Sequence, residues 1–349
     1  MDNINNIPES ELKEIHDNIL SESVEFNGAT ILLLGASGFL GSYFKAFFLY
    51  LNKYVLNKPC FIICVDNYIG RNKPKEIEDN NLLNLDHDLI TPLGLKLADY
   101  KISHIINTSG CASPALYARF PLETMRVSTI AVDHLLELAF QHKAKILNFS
   151  SSEVLQDPDE IPTTENQIPK VHSTNIRSPY DTTKVYLETS SWVFKTKYKV
   201  DAKVVRLFNC IGRMRQDDFR VFPNFISSIL KGEKINVFSP GTQTRTFAWV
   251  SDVISGCLKV LVNGRDLIYH IGNPDSEISM VDLAYLMEKI CGKSGLVNVI
   301  PTNDIYKHEP QRRCPSIEKA RKELNYHPKV GLEEMIKRFY KFAQENYKF

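Results

Sequence analysis

From residue 29 to about 209, uninterrupted apolar runs alternate with stretches in which apolar residues recur at helical spacing. The runs are ATILLLG at 29–35, FIICVD at 61–66, HIINTSG at 104–110, KILNFSS at 145–151 and AKVVRLFN at 202–209. A strand that is apolar on both faces is covered on both faces, and helices placed between such strands make the sheet parallel. The intervening pattern predicts a helix through Phe47, one over about 121–141 and one over about 179–197. Beyond 210 the pattern loosens into short elements, with helices predicted near 221–231, 250–262, 279–291, 316–324 and 332–346. Near the start, Leu12, Ile15 and Ile19 fall at helical spacing, which predicts a short amphipathic helix docked on the body.

This order predicts an α/β protein with a Rossmann-type doubly wound parallel sheet and a smaller C-terminal α/β lobe. The expected division is an extension over 1–28, a dinucleotide-binding domain over 29–210 and a substrate lobe mainly over 211–349, with segments able to cross between lobes. With 349 residues and 43% apolar content, the chain is long enough for such a pair.

Charge narrows the partners. The 42 basic and 41 acidic residues leave a net charge of +1, which gives no support for nucleic acid or a membrane surface. The seven cysteines lack CxxC spacing, so neither a metal site nor a disulfide framework is expected, and a reduced, cytoplasmic setting fits. No run approaches the roughly 18 apolar residues of a membrane span.

The first chemical motif is GASGFLG at 35–41, which follows a buried strand and opens a helix. Gly35, Gly38 and Gly41 let the backbone approach a pyrophosphate at a helix N-terminus, where amide dipoles favour negative charge. Asp66 ends the next strand, where a carboxylate accepts hydrogen bonds from a ribose diol and repels a 2'-phosphate, so NAD is expected over NADP. Arg71, a few residues on, could in principle receive such a phosphate. Asp88 and Leu89, after a third possible strand, are expected beside the adenine, and Ser37, Phe39, Leu40, Asn67 and Ser109 complete the expected cofactor contacts.

The second motif is SPYDTTK at 178–184. Tyr180 and Lys184, four apart on a helix, share a face, so the ammonium can lower the phenol's pKa and also hold the nicotinamide ribose. A phenolate of that kind is a base for a hydroxyl proton, matched to a cofactor that takes hydride.

With these motifs the chain resembles the extended short-chain dehydrogenase/reductase family, and within it the nucleotide-sugar epimerases, dehydratases and decarboxylases. The resemblance runs over 29–346 and includes NTSGCASP at 107–114, FSSSEV at 149–154, RLFNCIGR at 206–213, RVFPNFI from Arg220, GTQTRTFAWVSD at 241–252, IGNP at 271–274 and PQRRCPSI at 310–317. It implies oxidation of a hexose C4 hydroxyl to a ketone, with Ser151 hydrogen-bonding the C4 oxygen beside Tyr180, and Ser152 and Glu153 facing C5 and C6. Dehydratases of the family carry Thr-Asp-Glu there, the aspartate acting as acid. Ser152 is a poor acid, and SSSE is closer to the Thr-Ser-Glu of UDP-glucuronate decarboxylases.

By the same resemblance Arg313 aligns with an arginine that meets the sugar carboxylate or protonates C5, or that binds phosphate. Asn209, Arg220 and Arg245 align with diphosphate contacts, and Arg126 with a substrate-facing lysine of decarboxylases. Three departures leave the sugar nucleotide open: Leu155 and Gln156 replace a tyrosine and a glycine, NTSGCASP lacks a His-Leu-Ala opening, and Val185 stands where decarboxylases have arginine. The expected activity is decarboxylation of UDP-glucuronate to UDP-xylose. The alternatives are a 4,6-dehydratase, a 4-epimerase, and an NAD-binding regulatory or scaffold protein without turnover. The family's usual assembly implies a homodimer in which the helices near 121–141 and 179–197 form an intermolecular four-helix bundle.

Overall fold

The computed structural model describes residues 7–70, 72–75, 77–156, 158–301 and 310–349. Arg71 lies outside the described residues. The chain runs through α1 (Glu9–Asn18), β1 (Thr30–Leu34), α2 (Phe39–Tyr54), β2 (Phe61–Asp66), β3 (Leu82–Asp86) and β4 (His104–Asn107). It continues through α3 (Pro114–Arg119), α4 (Pro121–Ser128), α5 (Ile130–His142), β5 (Lys145–Ser151), α6 (Ser178–Lys197), β6 (Ala202–Leu207) and β7 (Asn209–Ile211). The remaining part holds α7 (Val221–Lys231), β8 (Ile235–Phe238), β9 (Thr244–Arg245), β10 (Phe247–Trp249), α8 (Val250–Asn263) and β11 (Ile268–Ile271). Last come β12 (Ile278–Ser279), α9 (Met280–Ile290), β13 (Val297–Ile300), β14 (Arg312–Arg313), α10 (Glu318–Leu324) and α11 (Leu332–Asn346).

Seven parallel strands form the main sheet in the order β11-β6-β5-β4-β1-β2-β3. The order reverses at β1 and β4, so the crevice beyond their C-terminal ends is where a parallel sheet of this kind receives a ligand. Period-2 alternation sends Ile31 and Leu33 of β1 into one core, and Leu32 and Leu34 into the other. That is why the strands read as continuous apolar runs rather than alternating ones. The edge strand β11 comes from beyond residue 210, and α8 packs on β5 and β6, so the C-terminal part of the chain returns to the main sheet.

The helix expected over 121–141 is interrupted. Thr129 leaves helical geometry (φ −124°, ψ −81°) and separates α4 from α5, within the β-branched run Val127, Thr129 and Ile130. Such residues lose χ1 freedom in a helix, which makes this the weak point of the segment. Helix α2 runs past Phe47 to Tyr54.

Helix α1 docks on the body, with Leu12, Ile15 and Ile19 buried in the same core as α2 and α8. Its glutamates meet residues far along the chain. Glu11 accepts hydrogen bonds from Tyr43 Oη at 2.9 Å and Arg213 Nε at 3.2 Å, and Glu14 from Ser251 Oγ at 3.0 Å and Arg338 Nη1 at 2.9 Å. All seven cysteines are free and buried. Among the described residues, no helix is long and apolar enough to cross a membrane, and no group of His, Cys, Asp and Glu is placed to hold a metal.

Candidate active site

The turn after β1 is built for close backbone approach. Gly35 has φ +69°, and a Cβ on it would stand 2.8 Å from the Ser109 backbone in the loop after β4, on the other side of the sheet's crevice. At Gly41 a Cβ would collide with the carbonyl of Gly35, and Gly38 is the extended N-cap residue of α2. A side chain at 35 or 41 would push the turn off the loop after β4 or off the start of α2, so the glycines keep the turn tight against the helix N-terminus headed by Gly38, and the residues present fit a dinucleotide pyrophosphate.

Asp66 ties this turn to the next one. Its Oδ2 accepts from the Ser37 amide at 2.9 Å and its Oδ1 from the Tyr68 amide at 2.9 Å. Each oxygen keeps acceptor capacity, so the loop bonds and a ribose diol are compatible. Asn67 Oδ1 accepts from the Ile69 amide at 3.3 Å, Asp88 Oδ1 from the Ile90 amide at 3.2 Å, and Leu89 is buried. Ser109 Oγ donates to Asn107 Oδ1 at 2.5 Å. Phe39 and Leu40 pack against the core at the start of α2.

Tyr180 and Lys184 project from α6 toward the end of β5, and both are buried. Lys184 Nζ donates to the Phe149 carbonyl at 2.8 Å, lies 5.5 Å from the centre of the Tyr180 ring, and stands 3.8 Å from where a Cβ on Gly110 would be. The expected lowering of the phenol pKa is not found. Burial pushes the Tyr180 phenol above its ordinary value, with Glu153 and Asp181 acting in the same direction and Ser151 and the charge of Arg220 opposing it. Burial also pushes Lys184 down to about 8, against the upward pull of Cys111 and Glu188. Sharing a helix face brings the pair together, but its ammonium does not offset the desolvation of the phenol.

A carboxylate–arginine cluster lies beside this pair. Ser151 ends β5, and its hydroxyl accepts from the Glu153 amide at 3.2 Å across a short 3-10 turn that buries Ser152. Glu153 is gripped from two sides. Arg313 Nη1 and Nη2 donate to its Oε1 and Oε2 at 2.5 and 3.0 Å, and Arg177 Nη2 pairs with Oε2. Burial would raise the Glu153 pKa, but the charges of Arg313, Arg177 and Arg245 overcome it and hold the carboxyl at about 2.

A three-stranded sheet, β12-β9-β14, supplies two of these arginines, since its parallel pair sets Arg245 opposite Arg313. GTQTRTF and PQRRC, some 65 residues apart, therefore form one cationic wall. Arg245 Nη1 donates to the carbonyls of Thr244 at 2.8 Å and Pro310 at 2.9 Å, which fixes its direction.

The other expected substrate residues are placed differently. Arg220, the N-cap residue of α7, lies over the Phe39 ring at 5.5 Å and holds Asp218 through two bonds of 2.8 and 2.5 Å. Asn209 Nδ2 donates to the Thr246 carbonyl at 3.1 Å. Arg126 is exposed in the last turn of α4, whose buried residues are Thr124 and Ser128, so the structure does not bring it into the cluster.

Sequence reasoning missed four residues. Arg177 precedes α6, and no spacing marks it as Glu153's second partner. Asp181, next to Tyr180, is buried and pushed up to about 7, first by burial and then by Glu153. Gln156, visible only as a departure from the family pattern, donates to Asp181 Oδ2 at 2.5 Å. Tyr117 of α3 stacks on Tyr180, with ring centres 5.5 Å apart and planes inclined by 22°.

Residues 31–272 match the NAD dependent epimerase/dehydratase family. The chain is similar to UDP-glucuronic acid decarboxylase 6 of Arabidopsis thaliana, at 32% identity over 308 residues, which is 87% of this chain and 85% of that one. Among solved structures it is similar to an epimerase from Methanothermobacter thermautotrophicus, with a TM-score of 0.81 and 22% identity over 95% of this chain and 97% of that one. It is also similar to a UDP-glucuronic acid 4-epimerase from Bacillus cereus, solved with UDP-glucuronic acid and NAD. There the TM-score is 0.77 and the identity 24%, over 91% of this chain and all of that one.

Proposed function

The chain belongs to the NAD dependent epimerase/dehydratase family, and from that premise we propose that it oxidises C4 of a nucleotide sugar with NAD, converting UDP-glucuronate to UDP-xylose. The observation that carries this reading is the cationic wall of Arg245 and Arg313 beside Glu153, two residues from Ser151, which acts on the Tyr180 phenol. A sugar carboxylate suits that wall, and Arg313 Nε is a buried donor with no hydrogen-bond partner among the described residues. The relatives named UDP-glucuronic acid decarboxylase support the same substrate.

Gly35, Gly38, Gly41 and Ser37 would hold the pyrophosphate, Asp66 the adenosine ribose, and Lys184 the nicotinamide ribose. When bound, NAD would supply an acceptor for the C4 hydride, a source from which C4 regains it, and a positive ring that makes a nearby phenolate less costly. Tyr180 takes the C4 hydroxyl proton while Ser151 hydrogen-bonds that oxygen. With C4 a ketone, the C6 carboxylate lies beta to it. Breaking the C5–C6 bond releases carbon dioxide and sends the electron pair into the ketone, after which a proton is restored at C5. Arg313 and Arg245 hold the carboxylate up to that point, and Glu153, fixed as an anion, borders C5. Tyr180 then returns its proton to the C4 oxygen. Ser152 offers no acid for a departing C6 hydroxyl, which weighs against a 4,6-dehydratase.

The test is anaerobic incubation of the purified protein with UDP-glucuronate, following carbon dioxide and product masses. Release of carbon dioxide with the mass of UDP-xylose is expected. An unchanged mass with inverted C4 would make the protein a 4-epimerase. Loss of water from UDP-glucose or dTDP-glucose would make it a dehydratase, and NAD binding without turnover a regulatory or scaffold protein.

For assembly we propose a homodimer through a four-helix bundle. Leu122 and Met125 of α4, Ile130 and Phe140 of α5, and Tyr186 and Trp192 of α6 are all exposed on helices that pack together, a larger apolar surface than scattered residues make. Trp192→Glu should convert a dimer to a monomer in sedimentation; a monomeric unsubstituted chain would refute the assembly.

A further inference from the structure

Among the described residues, three arginines meet two carboxylates around Glu153. Arg313 and Arg245 come from the small sheet, and Arg177 comes from the start of α6, the helix that carries Tyr180. Arg177 Nε faces Asp181 Oδ2 at 3.7 Å, one helical turn on, and the same oxygen accepts from Gln156 Nε2 at 2.5 Å. Arg177, Asp181, Gln156 and Arg313 are all at least nine-tenths buried, so none of them changes partner at the expense of solvent.

Glu153 occupies both Nη donors of Arg313. A planar fork binds one carboxylate well in this way, so a second carboxylate arriving on Arg313 competes with Glu153 for it. The excess of cations over ionised carboxylates in the cluster favours admission of that second anion. What then keeps Glu153 in place is its other partner.

We propose that Arg177 is a positioning residue, which retains Glu153 beside Tyr180 when Arg313 and Arg245 turn to the substrate's carboxylate, while Asp181 and Gln156 fix the direction of Arg177. This rests on the reading of the substrate as an acidic sugar nucleotide. Because Arg177 and Tyr180 begin the same helix, Glu153 stays registered to the oxidised centre and not to the sheet that binds the carboxylate. The substituted position Gln156 becomes part of the device, since its amide is the hydrogen-bond donor that Asp181 receives.

The test compares Arg177→Met, Arg177→Lys and the unsubstituted full chain with NAD and UDP-glucuronate. Arg177→Met should lower kcat for carbon dioxide release about 10²-fold, the scale of a misplaced catalytic group. KM should change less than about threefold, and the UDP-linked 4-ketone should accumulate, because C4 oxidation precedes the step that Glu153 serves. Arg177→Lys, which keeps the charge, should recover most of the rate.

A second readout needs no turnover. In Arg177→Met, acid loss of thermal stability should still start near the ordinary carboxylate value but be smaller and end at higher pH, because Glu153 loses one of the cations holding its folded pKa down. The charged and titratable groups facing Glu153 in that measurement are Arg177, Arg245, Arg313, Asp181 and Tyr180. A rise in KM at constant kcat would overturn the proposal by making Arg177 a substrate ligand. Equal losses in both variants, with no ketone and no change in the acid limb, would overturn it in favour of a purely structural role. If the unsubstituted chain releases no carbon dioxide, the reading of the substrate fails instead, and the acid limb alone decides whether Arg177 holds Glu153.

Discussion

Glu11 and Glu153 are both largely buried glutamates that touch an arginine, yet their pKa values move in opposite directions. Glu11, locked between Tyr43 and Arg213, is raised because burial outweighs the one guanidinium beside it. Glu153 is held at about 2 because three arginines surround it. A single ion pair does not offset the desolvation of a buried carboxylate, whereas a converging set of cations does. The difference separates two uses of the same side chain. Glu11 fastens an N-terminal helix to α2 and to the strand-following segment at Arg213, and Glu153 is a fixed anion in a site where charge is handled.

The sharpest way to break this comparison is Glu153→Gln. It leaves Arg313 and Arg177 facing each other with no anion between them, and removal of one partner from a buried pair costs about 3–5 kcal/mol. Urea unfolding at neutral pH should show that loss, and single-turnover measurements should show decarboxylation slowed more than formation of the 4-ketone. A stability loss below about 1 kcal/mol would mean that the arginines do not depend on Glu153.

Acid titration of stability is the next test. The Glu153 pKa is lower folded than unfolded, so its contribution is complete above about 4.5 and is lost as pH falls toward about 2, on the order of 3 kcal/mol in all. Glu11 has the opposite sign. Its folded pKa is raised, so its contribution is fullest below the ordinary carboxylate value and is lost as pH rises through the folded one. Thermal melts across pH should therefore flatten at the acid end in Glu153→Gln and at the neutral end in Glu11→Gln.

The smallest effect belongs to Glu11→Gln at neutral pH. The amide oxygen still accepts from Tyr43, and no charge has to be desolvated, so the change should stay within about 1 kcal/mol. A loss as large as that of Glu153→Gln would show that the Arg213 pair matters more than its pKa direction implies.

Much of the cofactor half of the site was readable from the chain alone. Glycine spacing after a buried strand, Asp66 at the end of the next one, and Tyr180 with Lys184 one helical turn on are local patterns, and each lies on the element that its pattern predicts. The substrate half was only partly readable. Glu153, Arg245 and Arg313 were each visible as motif residues, but nothing in their spacing said that they meet. Arg177 and Asp181 carried no signal of their own, because their importance comes from facing Glu153. Gln156 was visible only as an oddity. Arg126, which sequence reasoning did select, is exposed on α4, away from that group.

What the sequence determined by itself was the layered parallel fold, the dinucleotide turn and the tyrosine–lysine pair. Periodicity and short-range spacing depend on backbone geometry that the chain carries wherever it goes. What only the tertiary structure decided was charge. Whether Tyr180 is pushed up, Lys184 down, Glu153 held ionised or Asp181 left near neutrality depends on burial and on which distant side chains converge. Those energies act through space at low dielectric, so residues 160 positions apart along the chain, such as Glu153 and Arg313, set one another's state.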